Sequence, residues 1–139
     1  MSGVVYGDSW YLPGGQNYAS TLLSNAGYSY FWQSDTTSAF LPLSFEKVFE
    51  QAQQAEYWIG VASFRSLEEI ARADQRYTYF EAYKTAQVYS YNKRIGEKGG
   101  SEFLELGYIR PDLILKDLVK ISHPELLPQH ELFFHFKLP

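Results

Sequence analysis

The stretch "EYWIGVASF", Glu56 to Phe64, is nearly continuous in apolar character. Read as one element, it predicts a strand buried on both faces, as in a parallel sheet. The elements on either side agree with that reading. Upstream, Ser44 is placed to cap a helix over about Phe45–Gln54, with Glu46 in its first turn, where the helix dipole favours a carboxylate. Phe45, Val48, Phe49 and Ala52 fall on one face of that helix. Downstream, "SLEE", Ser66 to Glu69, has the form of a capping box and opens a helix to about Ala73.

Working outward, the same alternation recurs. A first strand is expected over about Val4–Tyr11, then a turn at Pro13-Gly14-Gly15. A helix follows over about Gln16–Asn25, with Asn17 as cap and Gly27 as a left-handed stop. "YSYFW", Tyr28–Trp32, reads as a short aromatic strand. On the other side, "RYTYFEAYKTAQ" reads as a helical segment and "VYSYN", Val88–Asn92, as a strand. "KRIGEKGGSEF" reads as a glycine-rich loop. Pro111 suits the first turn of a last helix, to about Ile121, with Ile114, Leu115, Leu118 and Val119 as its stripe. The tail "HELFFHFKLP" is a last strand or an ordered extension. Strands alternating with helices predict an α/β fold over residues 1–139. It would be a three-layer αβα sandwich with a mainly parallel sheet of four to five strands.

Composition narrows the function. The 139 residues suit one domain with a real core, and the hydrophobic content of 45% is ordinary for a globular protein. A net charge of −4 argues against a general nucleic-acid binder, which needs a basic face. With no cysteine there is no disulfide, thiolate zinc site or cysteine nucleophile. No apolar run is long enough to span a membrane, and no basic-then-apolar leader opens the chain. The sequence therefore reads either as a cytoplasmic protein or as a piece of a longer one. Aromatic residues make up 18%, with 12 Tyr, 10 Phe and 3 Trp. That content suits either a tyrosine-rich core and surface or an aromatic-lined cleft.

In a parallel sheet the loops after the strands gather at one edge, where ligands bind. That geometry would bring together Trp10, Tyr11, Gly14 and Gly15, then Trp32, then Phe64 and Arg65, then Tyr91, Asn92 and Arg94. Each has a plainer account as well. Trp10 suits packing beneath the first helix, and Arg65 suits an ion pair or a solvated loop. "NKR" suits a basic turn, and Glu46 suits its helix terminus alone. His123, His130 and His135 offer no pair on one helical face with a matching carboxylate, so no metal site is expected there. No G-x-S-x-G, P-loop or H-E-x-x-H motif is present, and "GDS" at Gly7–Ser9 lacks catalytic partners.

The ordered set "SWYLPGGQNYASTLLSNAGYSYFW", "LPLSFEKVFEQAQQAEYWIG", "AYKTAQVYSYNKR" and "GYIRPDLILKDLVKISHPELLP" resembles the carboxy-terminal lobe of a substrate-binding protein. The family serves ATP-binding-cassette (ABC) importers of ferric siderophores, haem and cobalamin, and the likeness is to its Tyr-rich members in Bacteroidetes-type bacteria. "RPD-x-x-x-x-D-L" followed by "HPELLP" is the most distinctive part. The resemblance implies two α/β lobes joined by a long helix, with the ligand between them and only the second lobe in this chain. It implies a periplasmic protein or a lipoprotein facing the periplasm, with no enzymatic activity and no cofactor. Its partners would be the metal chelate, the ABC permease and the missing amino-terminal lobe.

For single residues, the resemblance likens Glu46 to a glutamate that docks onto an arginine pocket of the permease. Trp10 and Tyr11 would stack on a planar chelate. The amides beside Gly14 and Gly15, together with Arg65 and Arg94, would meet anionic groups on the ligand. The rival expectations are a small enzyme of flavodoxin-like or hydrolase type, and a carbohydrate-binding module that uses its tyrosines.

Overall fold

A computed structural model describes residues Met1–Pro139. Its strands form two three-stranded sheets in place of the expected parallel sheet. In the first, β1 (Val5–Tyr6), β2 (Ser9–Pro13) and β3 (Phe40–Leu43) are antiparallel in the order β1-β2-β3. In the second, β4 (Trp58–Ile59) is parallel to β5 (Val88–Ser90), and β6 (Phe136–Lys137) is antiparallel to β5. Six helices and a 3₁₀ turn cover them: α1 (Tyr18–Asn25), α2 (Phe45–Ala52), α3 (Leu67–Ala73), the turn Gln75–Tyr79, α4 (Glu81–Lys84), α5 (Glu102–Leu106) and α6 (Pro111–Ser122). None of these helices is long and apolar enough to cross a membrane.

The expectation of an αβα sandwich with a mainly parallel sheet is therefore corrected, for three local reasons. First, the expected strand Val4–Tyr11 is a hairpin. Gly7 takes a left-handed φ of 62° and turns β1 back onto β2 through the pair Gly7-Asp8. Second, Glu56–Phe64 is extended only at Trp58–Ile59. Gly60 (φ 88°) and Ala62 (φ 51°) bend the backbone out of the strand region. Third, Tyr28–Trp32 is not a strand. Its residues fold into turns in which Gln33 N–H bonds Tyr30 O and Asp35 N–H bonds Trp32 O. Its tyrosines are fixed by their hydroxyls, Tyr28 donating to Leu118 O and Tyr30 to Pro13 O, each at 2.7 Å. The strand beside β2 comes instead from "FLPL", just before the Ser44 cap.

The amino-terminal segment joins the two sheets. Met1 N–H donates to Tyr57 O, Ile59 N–H to Met1 O, and Gly3 N–H to Gly60 O, so residues 1–3 run beside β4 in its own direction. From the first sheet Trp10 donates its indole N–H to Ser2 O at 3.0 Å, and from the second Trp58 donates to Gly3 O at 2.9 Å. Both indoles are fully buried, and with Phe45, Tyr77 and Phe80 they form the aromatic centre of the core.

The helix boundaries follow local chemistry. Asn17 accepts from Ala19 N–H, Ser44 from Lys47 N–H and Ser66 from Glu69 N–H, satisfying amides that each helix start leaves unpaired. At the other end of the chain a carboxylate does the fastening. Asp117 on α6 is fully buried and accepts from the amides of Phe133, Phe134 and His135 at 2.8–3.0 Å. It also pairs with the rings of His130 (2.7 Å) and His135 (3.0 Å). Burial works to raise its pKa, but the hydrogen bond and charge of His135, the Phe133 amide and His130 outweigh it and bring it to about 2.

Candidate functional site

Between the two sheets lies an open groove of about 520 Å³, walled by β1, β2, α1, the loop around Tyr91, and the segment from Phe103 to Tyr108. Local sequence explains how its aromatics reach it. The Gly7-Asp8 turn leaves Tyr6 on the hairpin at 81% exposure, and the pleat of β2 turns Tyr11 outward while Trp10 and Leu12 go into the core. Asn17 starts α1 so that Tyr18 is its first residue, and Tyr18 donates its hydroxyl to Gly107 O at 3.0 Å. Its ring stacks on Tyr108, with centroids 5.3 Å apart. Tyr91 stacks on Phe103 at 4.7 Å. Phe40 and Leu104 complete an exposed apolar rim. Burial, joined at Tyr18 by the neighbouring Tyr108, raises the phenol pKa of Tyr18 and Tyr91, so both rings carry neutral hydroxyls at physiological pH.

Of the ten ligand residues expected from sequence, the groove gathers Tyr11 and Tyr91. Trp10 is fully enclosed between the sheets and offers no face to a ligand. Trp32 is buried against Tyr30 and Phe31, and Phe64 packs partly buried against the core. Gly14 and Gly15 serve close packing. A Cβ on either would lie 2.2 Å from a carbonyl oxygen, that of Thr37 or Asp35 respectively. The amides around them are already used: Gly14 N–H bonds Ala39 O, Gln16 N–H bonds Thr37 O and Asn17 N–H bonds Gly14 O. The chain's own Asp35 carboxylate also sits there, its pKa lowered by hydrogen bonds from Thr37 and Gly15.

The expected cations are engaged as well. Arg65 donates to Asn92 O at 3.2 Å and lies over the Phe136 ring. Arg94 pairs with Glu102 and lies over Phe133. Asn92 donates to Ala62 O at 2.9 Å, while its Oδ1 is buried without a partner. Tyr6, Tyr18, Phe40, Phe103 and Tyr108 were missed from sequence. Gly7-Asp8 after Tyr6 and Gly107 before Tyr108 were the available signals, since both mark chain reversals that leave a large side chain outside.

Glu46 lies away from the groove. β3 runs from Phe40, at the groove, to Leu43, and Glu46 follows beyond the far end of that strand. Its side chain is 76% exposed and lies 3.4 Å from Arg76, which pairs more closely with Asp74 at 2.7 Å and covers the Phe45 ring. No group of three or more His, Cys, Asp or Glu side chains is arranged to hold a metal ion.

Comparison with known proteins finds one similar curated sequence, an uncharacterized lipoprotein of Methanocaldococcus jannaschii. It is 22% identical over 135 residues, covering 95% of this chain and 31% of the relative. The chain thus spans about a third of that protein's length. No protein-family model and no solved structure matches the chain.

Proposed function

We propose that this chain is one lobe of a substrate-binding protein for an ABC importer of a metal chelate, a ferric siderophore, haem or cobalamin. The groove is half of the ligand cleft, and a second lobe supplies the other half. The observation that carries the reading is the groove itself. A chain of this size has little reason to leave Tyr6, Phe40, Leu104 and Tyr108 more than half exposed along one groove unless something covers them. The stacked pairs Tyr18–Tyr108 and Tyr91–Phe103 suit the flat or ringed surface of a chelate held for transport, and no reaction is required of them.

Two further features support this reading. The relative is a lipoprotein roughly three times as long as the matched region, which accords with a tethered protein that has room for a second lobe. The proposed location is the outer side of the cytoplasmic membrane, held by a lipid anchor. Glu46 is an exposed carboxylate on a firmly capped helix away from the groove, so it could meet a permease arginine while the ligand stays enclosed.

The test is equilibrium binding of cyanocobalamin, haemin and ferric siderophores to the two-lobed protein. One of them should bind at micromolar affinity or tighter, and the 139-residue chain alone should bind it far more weakly. Binding of none by the two-lobed protein overturns the proposal.

A further inference from the structure

Resting on that reading, we propose that the groove selects a metal complex of zero net charge that presents oxygen acceptors, and discriminates against polyanionic chelates. The argument begins with what the groove lacks. Its 24 lining residues include no Asp, Glu, Lys or Arg. Their polar atoms are phenols, a few hydroxyls and amides, and the ring of His135 on the floor, which Asp117 already holds.

Placing a trianion against such a wall strips its hydration without supplying a counter-charge, and burial of an unpaired charge is among the most costly changes a site can make. Neither expected cation lines the groove: Arg94 pairs with Glu102, and Arg65 reaches toward the Asn92 carbonyl and the Phe136 ring. The amides of Gly14, Gln16, Asn17 and Ala19 around the start of α1 already have acceptors, and an acid, Asp35, stands beside them. The net charge of −4 adds a weak field of the same unfavourable sign.

What the groove does supply is neutral donors on apolar rings. The Tyr18 hydroxyl is used internally, whereas those of Tyr6, Tyr11 and Tyr108 have no partner within the chain. Such phenols suit amide, hydroxamate or carbonyl oxygens at the surface of a neutral chelate. The stacked Tyr18–Tyr108 pair gives the complex a flat surface to lie against.

The experiment titrates the isotope-labelled 139-residue chain with three diamagnetic probes: cyanocobalamin, a neutral gallium trihydroxamate, and the gallium tris-catecholate trianion. Amide shifts are recorded up to millimolar probe. At least one neutral probe should shift Tyr11, Tyr18 and Tyr108 and bind at least about tenfold more tightly than the trianion. Its affinity should stay unchanged between about 50 and 300 mM salt. Tyr108→Ala, at a side chain 74% exposed, should keep the folded spectrum and weaken that binding about fivefold or more.

Tighter binding of the trianion, or neutral binding that falls steeply with salt, overturns the charge assignment and leaves the transport reading standing. No shift with any probe also overturns the charge assignment, and the transport reading is then decided by the two-lobed protein alone.

Discussion

Trp10 and Trp58 come from different sheets, yet their rings lie 5.6 Å apart and their indole N–H groups reach successive carbonyls of one strand-like segment, Ser2 O and Gly3 O. The contact is therefore both the centre of the core and the fastening between the two halves of the strand system. Trp10→Ala should cost about 3–5 kcal/mol, because it opens a large cavity and leaves the Ser2 carbonyl without its donor. Tyr11→Ala, one residue on and facing the groove, should cost far less. Urea denaturation followed by fluorescence separates the two, and equal losses would refute the inside–outside assignment of β2.

The Asp117 carboxylate predicts a pH dependence. Its folded-state pKa lies at about 2, below the ordinary value of 3.8, so the unfolded chain takes up a proton first as pH falls. The stabilisation is therefore fully present above about pH 4 and disappears as pH drops toward 2, by about 2 kcal/mol. Asp117→Asn should be less stable by about 3–5 kcal/mol at neutral pH and lose much of this acid dependence. Thermal melts of both proteins from pH 6 to pH 2 check it; parallel curves would exclude Asp117 as the source.

At the Pro-Gly-Gly turn, Gly15→Ala places a methyl carbon 2.2 Å from the Asp35 carbonyl, with Gln33 O nearly as close. The loop over residues 33–37 must shift, at a cost of about 1–3 kcal/mol. Hydrogen exchange should report faster opening of the Gln16 and Thr37 amides. If protection is unchanged, the glycine is present for some reason other than close packing.

Glu46→Ala tests the docking proposal. The pair with Arg76 is exposed and long, so stability should change by less than about 0.5 kcal/mol. Ligand binding by the two-lobed protein should be untouched, whereas stimulation of the transporter's ATPase should fall at least about tenfold. Full stimulation by the variant would remove Glu46 from the interface.

How far the sequence could be read depended on the range of the interactions involved. Ser44, Ser66 and Asn17 were legible as caps, because a cap is decided within four residues. Glu56–Phe64 misled, because its apolar residues fill the core from a bent backbone; Val61 is fully buried just past Gly60, outside any strand. Gly7-Asp8 was a two-residue hairpin signal, hidden by reading Val4–Tyr11 as one run. For the groove, Tyr11 and Tyr91 do line it, but Tyr11 faces it from the middle of β2 and not from a loop after a parallel strand. The pairing of Tyr18 with Tyr108 depends on how α1 meets the end of α5, ninety residues away in sequence, and no local pattern carries it.

The pairing of residues 1–3 with β4 and of β6 with β5 bears on how this unit folds. Residues 1–3 find their hydrogen-bond partners only when Tyr57–Gly60 arrive, and β5 gains its second neighbour only with Phe136–Lys137. Completion of the second sheet therefore waits on contacts between segments far apart in sequence. Removing residues 134–137 should strip β5 of its antiparallel neighbour and open the core that the fully buried Phe134 fills.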